Sequence, residues 1–118
     1  MRHNKKKYML VSKQGGSRLV IRNLVTSLLM FEKVVTTRSR AKATSMAVDR
    51  LIAYAKKATI PNAIRRLNSF VFTEEASRKV MEILLKRYAD RPSGFTSIKR
   101  MGPRRGDGAE TFQINLIE

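Results

Sequence analysis

Apolar positions keep a helical period through most of the chain and change to a strand period at its end. From Ser17, a candidate N-cap, Val20, Leu24 and Leu28 recur beside Ile21 and Val25 as the stripe of an amphipathic helix. Arg18, Arg22 and Thr26 follow one another at four-residue spacing and are expected on the other, outward side. Residues 32 to 36 are short and β-branched at Val34, Val35 and Thr36, which predicts a strand. Thr36 or Thr37 then caps a helix over residues 38 to 56, with Ala41, Val48, Leu51, Ile52 and Ala55 as its apolar side. Pro61 suits the first turn of a short third helix that buries Ile64 and Leu67. A fourth begins at Thr73, carries Glu74 and Glu75 where the helix dipole favours acids, and continues through Ala76, Val80, Ile83, Leu84 and Tyr88. Lys86 and Arg87 suit its last turn, and Pro92 and Gly94 stop it.

Beyond that point Thr111, Gln113 and Asn115 alternate with Phe112, Ile114 and Leu116, the mark of a half-buried strand. Residues 95 to 101 form a weaker strand. Gly102, Pro103, Gly106, Asp107 and Gly108 join the two as a hairpin. The element order is therefore helix, strand, three helices, two strands, an α+β pattern, and 118 residues fit one core.

Charge changes the picture. Lys and Arg number 25 against 9 Asp and Glu, a formal charge of +16, for which a large polyanion is the natural counterpart. The excess is uneven: residues 1 to 72 hold 16 bases and 2 acids, residues 73 to 118 hold 9 and 7. Residues 1 to 16 form a basic arm with Arg2, Lys5, Lys6, Lys7 and Lys13, no acid, and a Gly15-Gly16 pair that discourages helix. Such an arm takes shape only against its partner, or else serves as a solubilising tail. Residues 17 to 118 make the single folded domain. Arg38 and Lys42, one turn apart near a helix start, oppose the dipole there, a small cost that makes sense beside phosphate. In the hairpin loop Arg104 and Arg105 either reach a phosphate or keep the tip in water.

Catalytic chemistry is not indicated. The chain has no Cys, its one His, His3, lies in the arm as an incidental polar residue, and no pair of acids has general acid and base spacing. No cofactor, metal or small-molecule substrate is implied, since the Gly-rich loop matches neither the P-loop nor the dinucleotide fingerprint. No run of 18 apolar residues and no signal-type apolar stretch is present, so a cytoplasmic, membrane-free protein is expected. The aromatics fall mostly at core positions rather than in an RNA-stacking sheet; Tyr8, inside the arm, is the one placed to stack on a base. A DNA-binding architectural protein would share the charge but needs a recognition helix or a dimer-forming helix pair.

The residues resemble the bacterial large-subunit ribosomal protein family numbered seventeen. The resemblance begins at Met1-Arg2-His3, continues through Arg18, Arg22-Asn23-Leu24, Thr26-Ser27-Leu28, Thr36-Thr37 and Arg40-Ala41-Lys42, and resumes at Gly94-Phe95-Thr96, Gly102, Arg104 and Gly106-Asp107-Gly108-Ala109. It implies a two-layer fold with a small mixed or antiparallel sheet covered by helices. It further implies a structural, non-enzymatic role in the large ribosomal subunit, binding to its RNA, a place near the peptide exit tunnel, and neighbouring ribosomal proteins as partners. Ser17 stands where the family usually has His, and Ser97 where it usually has Arg. The expected RNA contacts are Arg2, His3, Lys5, Lys6, Lys7 and Lys13 in the arm, Arg18, Arg22, Arg38, Arg40 and Lys42 on the domain, and Arg104 and Arg105 in the loop.

Overall fold

The computed structural model describes His3 and residues 16 to 118, so the contacts expected at Arg2, Lys5, Lys6, Lys7, Tyr8 and Lys13 lie outside the described residues. Four helices and three strands follow the expected order. Helix α1 spans Gly16–Phe31, strand β1 Lys33–Thr37, α2 Arg38–Lys57 and α3 Ile60–Phe70. Helix α4 starts as Glu74–Lys79, widens to a π-helical turn over Val80–Leu84 and finishes over Leu85–Arg87. Strands β2, Thr96–Pro103, and β3, Glu110–Leu116, close the chain. Gly16 is thus helical rather than part of a non-helical arm.

The sheet is antiparallel throughout, in the order β1-β3-β2. Val34, Ile114 and Ile98 share one row across it, and Val35, Gln113 and Lys99 the next. Because alternate residues point to opposite faces, the first row and its relatives form the inner face, where Ile114 and Leu116 are buried. Helix α2 packs across all three strands, which gives the two-layer arrangement. A bulge between Arg100 and Gly102 bends β2, and Gly102 sits there at φ +99, a conformation that any side chain would strain.

The core follows the expected stripes with informative exceptions. Ala41, Val48, Leu51, Ile52 and Ala55 of α2 are all buried. On α3 the buried pair is Ala63 and Leu67, whereas Ile64 is 41% exposed. On α4 the buried residues Ala76, Val80, Leu84 and Tyr88 recur every four positions. In a regular α-helix each such step overshoots a turn by about 40°, so three steps would rotate the stripe away by about 120°. The π turn absorbs one extra residue, cancels most of that drift, and leaves Ile83 on the outside at 48% exposure. Thr73 caps this helix as expected, accepting the Ala76 N–H, while Thr37 occupies the N-cap of α2 without a side-chain bond.

Acids outside the charge pattern fasten the layers together. Glu32 is not in the strand: it ends α1 at φ 62, its N–H bonded to the Leu28 carbonyl as in a left-handed cap. Its carboxylate takes both terminal nitrogens of Arg87, at 2.8 and 3.1 Å, and Lys79 Nζ at 2.9 Å. The hydrogen bonds from Arg87 and then Lys79 hold its pKa down to about 2. Asp49 of α2 accepts the Phe95 N–H at 3.1 Å, tying α2 to the start of β2; burial pushes its pKa up against those hydrogen bonds. Beside it Phe95 packs on Tyr88, ring centroids 5.1 Å apart, and the Tyr88 hydroxyl donates to the Ile117 carbonyl.

The Glu32 clamp has a measurable consequence. A carboxyl whose folded pKa lies below its unfolded value stabilises above the unfolded value, and that contribution disappears as pH falls from 4.5 to about 2. After allowance for solvent screening of this partly exposed group, Glu32→Gln should cost about 1–2 kcal/mol at pH 7. In urea melts the gap between the two proteins should close across that acid window. A gap that stays constant down to pH 2 would assign the cost to something other than the charge.

Candidate nucleic-acid interface

Ion pairing divides the chain at the same place as composition does. All five ion pairs among the described residues draw their cations from the C-terminal part: Arg78, Lys79, Arg87, Arg100 and Arg104. The eleven Lys and Arg side chains between residues 16 and 72 form none. Those cations are therefore left with their full attraction for an external polyanion.

Helical spacing places them in two groups. Arg18 is exposed in the first turn of α1. Arg38 and Lys42 are exposed one turn apart at the start of α2, where no acid offsets their conflict with the dipole. Arg40 is half-buried on a different side of that helix; its carbonyl receives the Thr44 hydroxyl at 2.7 Å. His3 is exposed.

Arg22 does not share the outward face with Arg18. Thr26 is only 7% exposed, and its hydroxyl donates to the Arg22 carbonyl at 2.8 Å while accepting the Phe72 N–H at 3.2 Å. The Arg22 Nε donates to the Phe70 carbonyl at 2.6 Å, and its guanidinium lies 4.5 Å from the centre of the Phe72 ring. The buried stripe of α1 is accordingly Val25, Thr26, Leu28 and Leu29, rotated from the one expected, with Val20 and Leu24 only partly covered. Arg22 joins α1 to the end of α3.

The two loop arginines also differ. Arg104 forms a two-point pair with Asp107, Nε to Oδ1 at 2.8 Å and Nη2 to Oδ2 at 2.6 Å, and its N–H reaches the Ala109 carbonyl at 2.9 Å. The pair holds the Asp107 carboxyl well below the usual carboxylate range. Arg104 thereby fixes the loop, whereas Arg105 is exposed and, among the described residues, in no ion pair. Ser97 is exposed on the outer sheet face, in one row with Asn115 and Lys33; Ser17 is half-buried in the first turn of α1.

Arg50, Arg65 and Arg66 are not among the RNA contacts expected from the sequence, yet they are exposed and, among the described residues, outside any ion pair, and Tyr54 is 45% exposed although the aromatics are expected mostly at core positions. Their common signal is the scarcity of acids before residue 73. Among the described residues no group of three or more His, Cys, Asp or Glu is placed to hold a metal. No helix among them is long and apolar enough to cross a membrane.

The family model for Ribosomal protein L17 matches residues 20–117. A large ribosomal subunit protein bL17 from Carboxydothermus hydrogenoformans is 38% identical over 110 residues, covering 93% of this chain and 97% of its own. One from Dehalococcoides mccartyi is 41% identical over 104 residues, 87% and 88% of the two chains. A third, from Solibacter usitatus, is 37% identical over 117 residues, 99% and 77% of the two. With matches of this length laid over an α+β fold whose ion pairs, among the described residues, draw all their cations from the C-terminal part, the chain belongs to the ribosomal protein L17 family.

Proposed function

We propose that this protein is a non-enzymatic structural constituent of the large ribosomal subunit, which it joins by binding the subunit's RNA through the basic arm and the cationic side chains of α1 and α2. The observation that carries this reading is the segregation of ion pairs: five of the nine bases after residue 73 are paired with acids within the fold, and among the described residues none of the eleven between 16 and 72 is. Arg18, Arg38, Arg40, Lys42 and Arg105 act as phosphate contacts together with Arg2, His3, Lys5, Lys6, Lys7 and Lys13. Arg22 and Arg104 act by holding the surface in shape. The site in the subunit is near the peptide exit tunnel, among neighbouring ribosomal proteins in the cytoplasm.

Co-sedimentation tests the reading directly. The protein should travel with large subunits on a sucrose gradient and leave only at high salt; migration free of subunits at low salt would overturn it. Deleting residues 1 to 14 should keep the helical circular-dichroism signal, because the described core draws on residues 25 to 116. The shortened protein should nevertheless enter assembling subunits less readily. Unchanged incorporation would make the arm dispensable.

A further inference from the structure

The cleft between α2 and α3, we propose, is a nucleobase site, in which an unpaired base of the bound RNA stacks on Tyr54 while its flanking phosphates lie against Arg50 and Arg66. The proposal rests on the RNA-binding reading above and adds a site outside every residue nominated from the sequence.

Each of the two helices carries an arginine four residues before an aromatic, Arg50 before Tyr54 on α2 and Arg66 before Phe70 on α3. That spacing puts both members of each pair on one side of their helix. The helices pack so that these sides meet, and Ala47, Arg50, Leu51, Tyr54, Arg66 and Phe70 line a cleft of about 440 Å³. No acid lines it, and neither arginine is in an ion pair among the described residues. Tyr54 keeps 45% of its surface in the open.

These features define a ligand. An apolar wall beside an open aromatic ring favours a flat, weakly hydrated face, and the guanidinium groups call for anions close to that face. A nucleotide combines both. In a duplex the bases are already stacked and out of reach, so the ligand is a single-stranded or bulged segment. An apolar peptide would leave two guanidinium groups uncompensated, which favours RNA over protein here. The α3 wall is fixed in advance, because Arg22 holds the Phe70 carbonyl at 2.6 Å.

Fluorescence anisotropy on the full chain, with single-stranded oligoadenylate and a blunt RNA duplex of equal length as probes, tests the site. Tyr54→Ala should weaken oligoadenylate binding about tenfold, in line with the loss of one base-aromatic stack, while changing duplex affinity less than about twofold. Tyr54→Phe should bind like the parent. Tyr54→Leu, which keeps apolar bulk and removes the flat face, should lose as much as Tyr54→Ala with an unchanged melting temperature. Arg50→Gln plus Arg66→Gln should weaken binding and lower its salt dependence. Unchanged oligoadenylate affinity in Tyr54→Leu, equal losses on both probes, or cross-linking from position 54 to a neighbouring protein in assembled subunits would each overturn the cleft. Those outcomes leave the ribosomal reading standing as long as the parent protein co-sediments with large subunits.

Discussion

Arg22→Ala should lower the stability of the domain by about 2–3 kcal/mol, whereas Arg18→Ala, four residues earlier on the same helix, should stay within about 0.5 kcal/mol. Both look alike in sequence, two cations on a helix rich in leucine and valine. In the fold Arg22 supplies the Phe70 carbonyl with its donor at the point where α3 ends, and covers the Phe72 ring. Removing the guanidinium leaves a part-buried carbonyl without that partner, a loss of about 1–3 kcal/mol, and deletes a cation-aromatic contact of about 0.5–1 kcal/mol. Thr26 holds the Phe72 N–H beside it, so the end of α3 loosens against α1. For a domain of this size each kcal/mol is worth about 4–8 °C in melting temperature, well within reach of calorimetry. Arg22→Lys should recover only part of the loss, since an ammonium cannot place a planar donor on Phe70 and a face on Phe72 together. Equal melting temperatures for the two alanine variants would make Arg22 a surface cation after all.

The contrast between these two residues shows what the chain displays locally and what it does not. The order of elements was readable because each carries its own period: Ile114 and Leu116 alternate with polar residues and are buried, and Thr73 precedes two acids and caps α4. The charged half was readable because acids are almost missing from it. Arg22 was misread because its partners lie 48 residues further along, at a helix end whose approach no local pattern announces. Ile83, named with the apolar residues of α4, lies on the outside because the π turn over Val80–Leu84 departs from a strict α-helical period, a departure already hinted at by the four-residue spacing of Ala76, Val80, Leu84 and Tyr88, which overshoots such a helix. Arg104, which the sequence leaves either reaching a phosphate or keeping the tip in water, pairs with Asp107 three residues away, close enough in sequence to be recognised as its partner. Tyr54 is one of the aromatics expected mostly at core positions, yet it stays 45% exposed at the cleft where α3 meets α2, a contact that no local pattern announces.

The affinity of the protein for large-subunit RNA should fall by about a thousandfold or more between 50 and 200 mM salt, the loss expected when six to ten phosphates are contacted. Each contact releases condensed counterions, so the slope of log affinity against log salt counts contacts at about 0.9 each on duplex DNA and about 0.7 on single strands. The structure predicts which substitutions change that slope. Arg38→Ala plus Lys42→Ala should reduce it by about two, since both side chains are exposed and in no ion pair, and Arg105→Ala by about one. Arg104→Ala should change it little, because Asp107 already balances that guanidinium inside the loop. Melting temperatures of the Arg38, Lys42 and Arg105 variants should stay near the parent, for none of these side chains supports a buried group. Filter binding across a salt series, with the melting temperature recorded for every variant, separates the cases. A slope that the Arg38 and Lys42 replacements leave intact would place the RNA on another face of the domain, and a slope near zero in the parent would remove the electrostatic account of binding altogether.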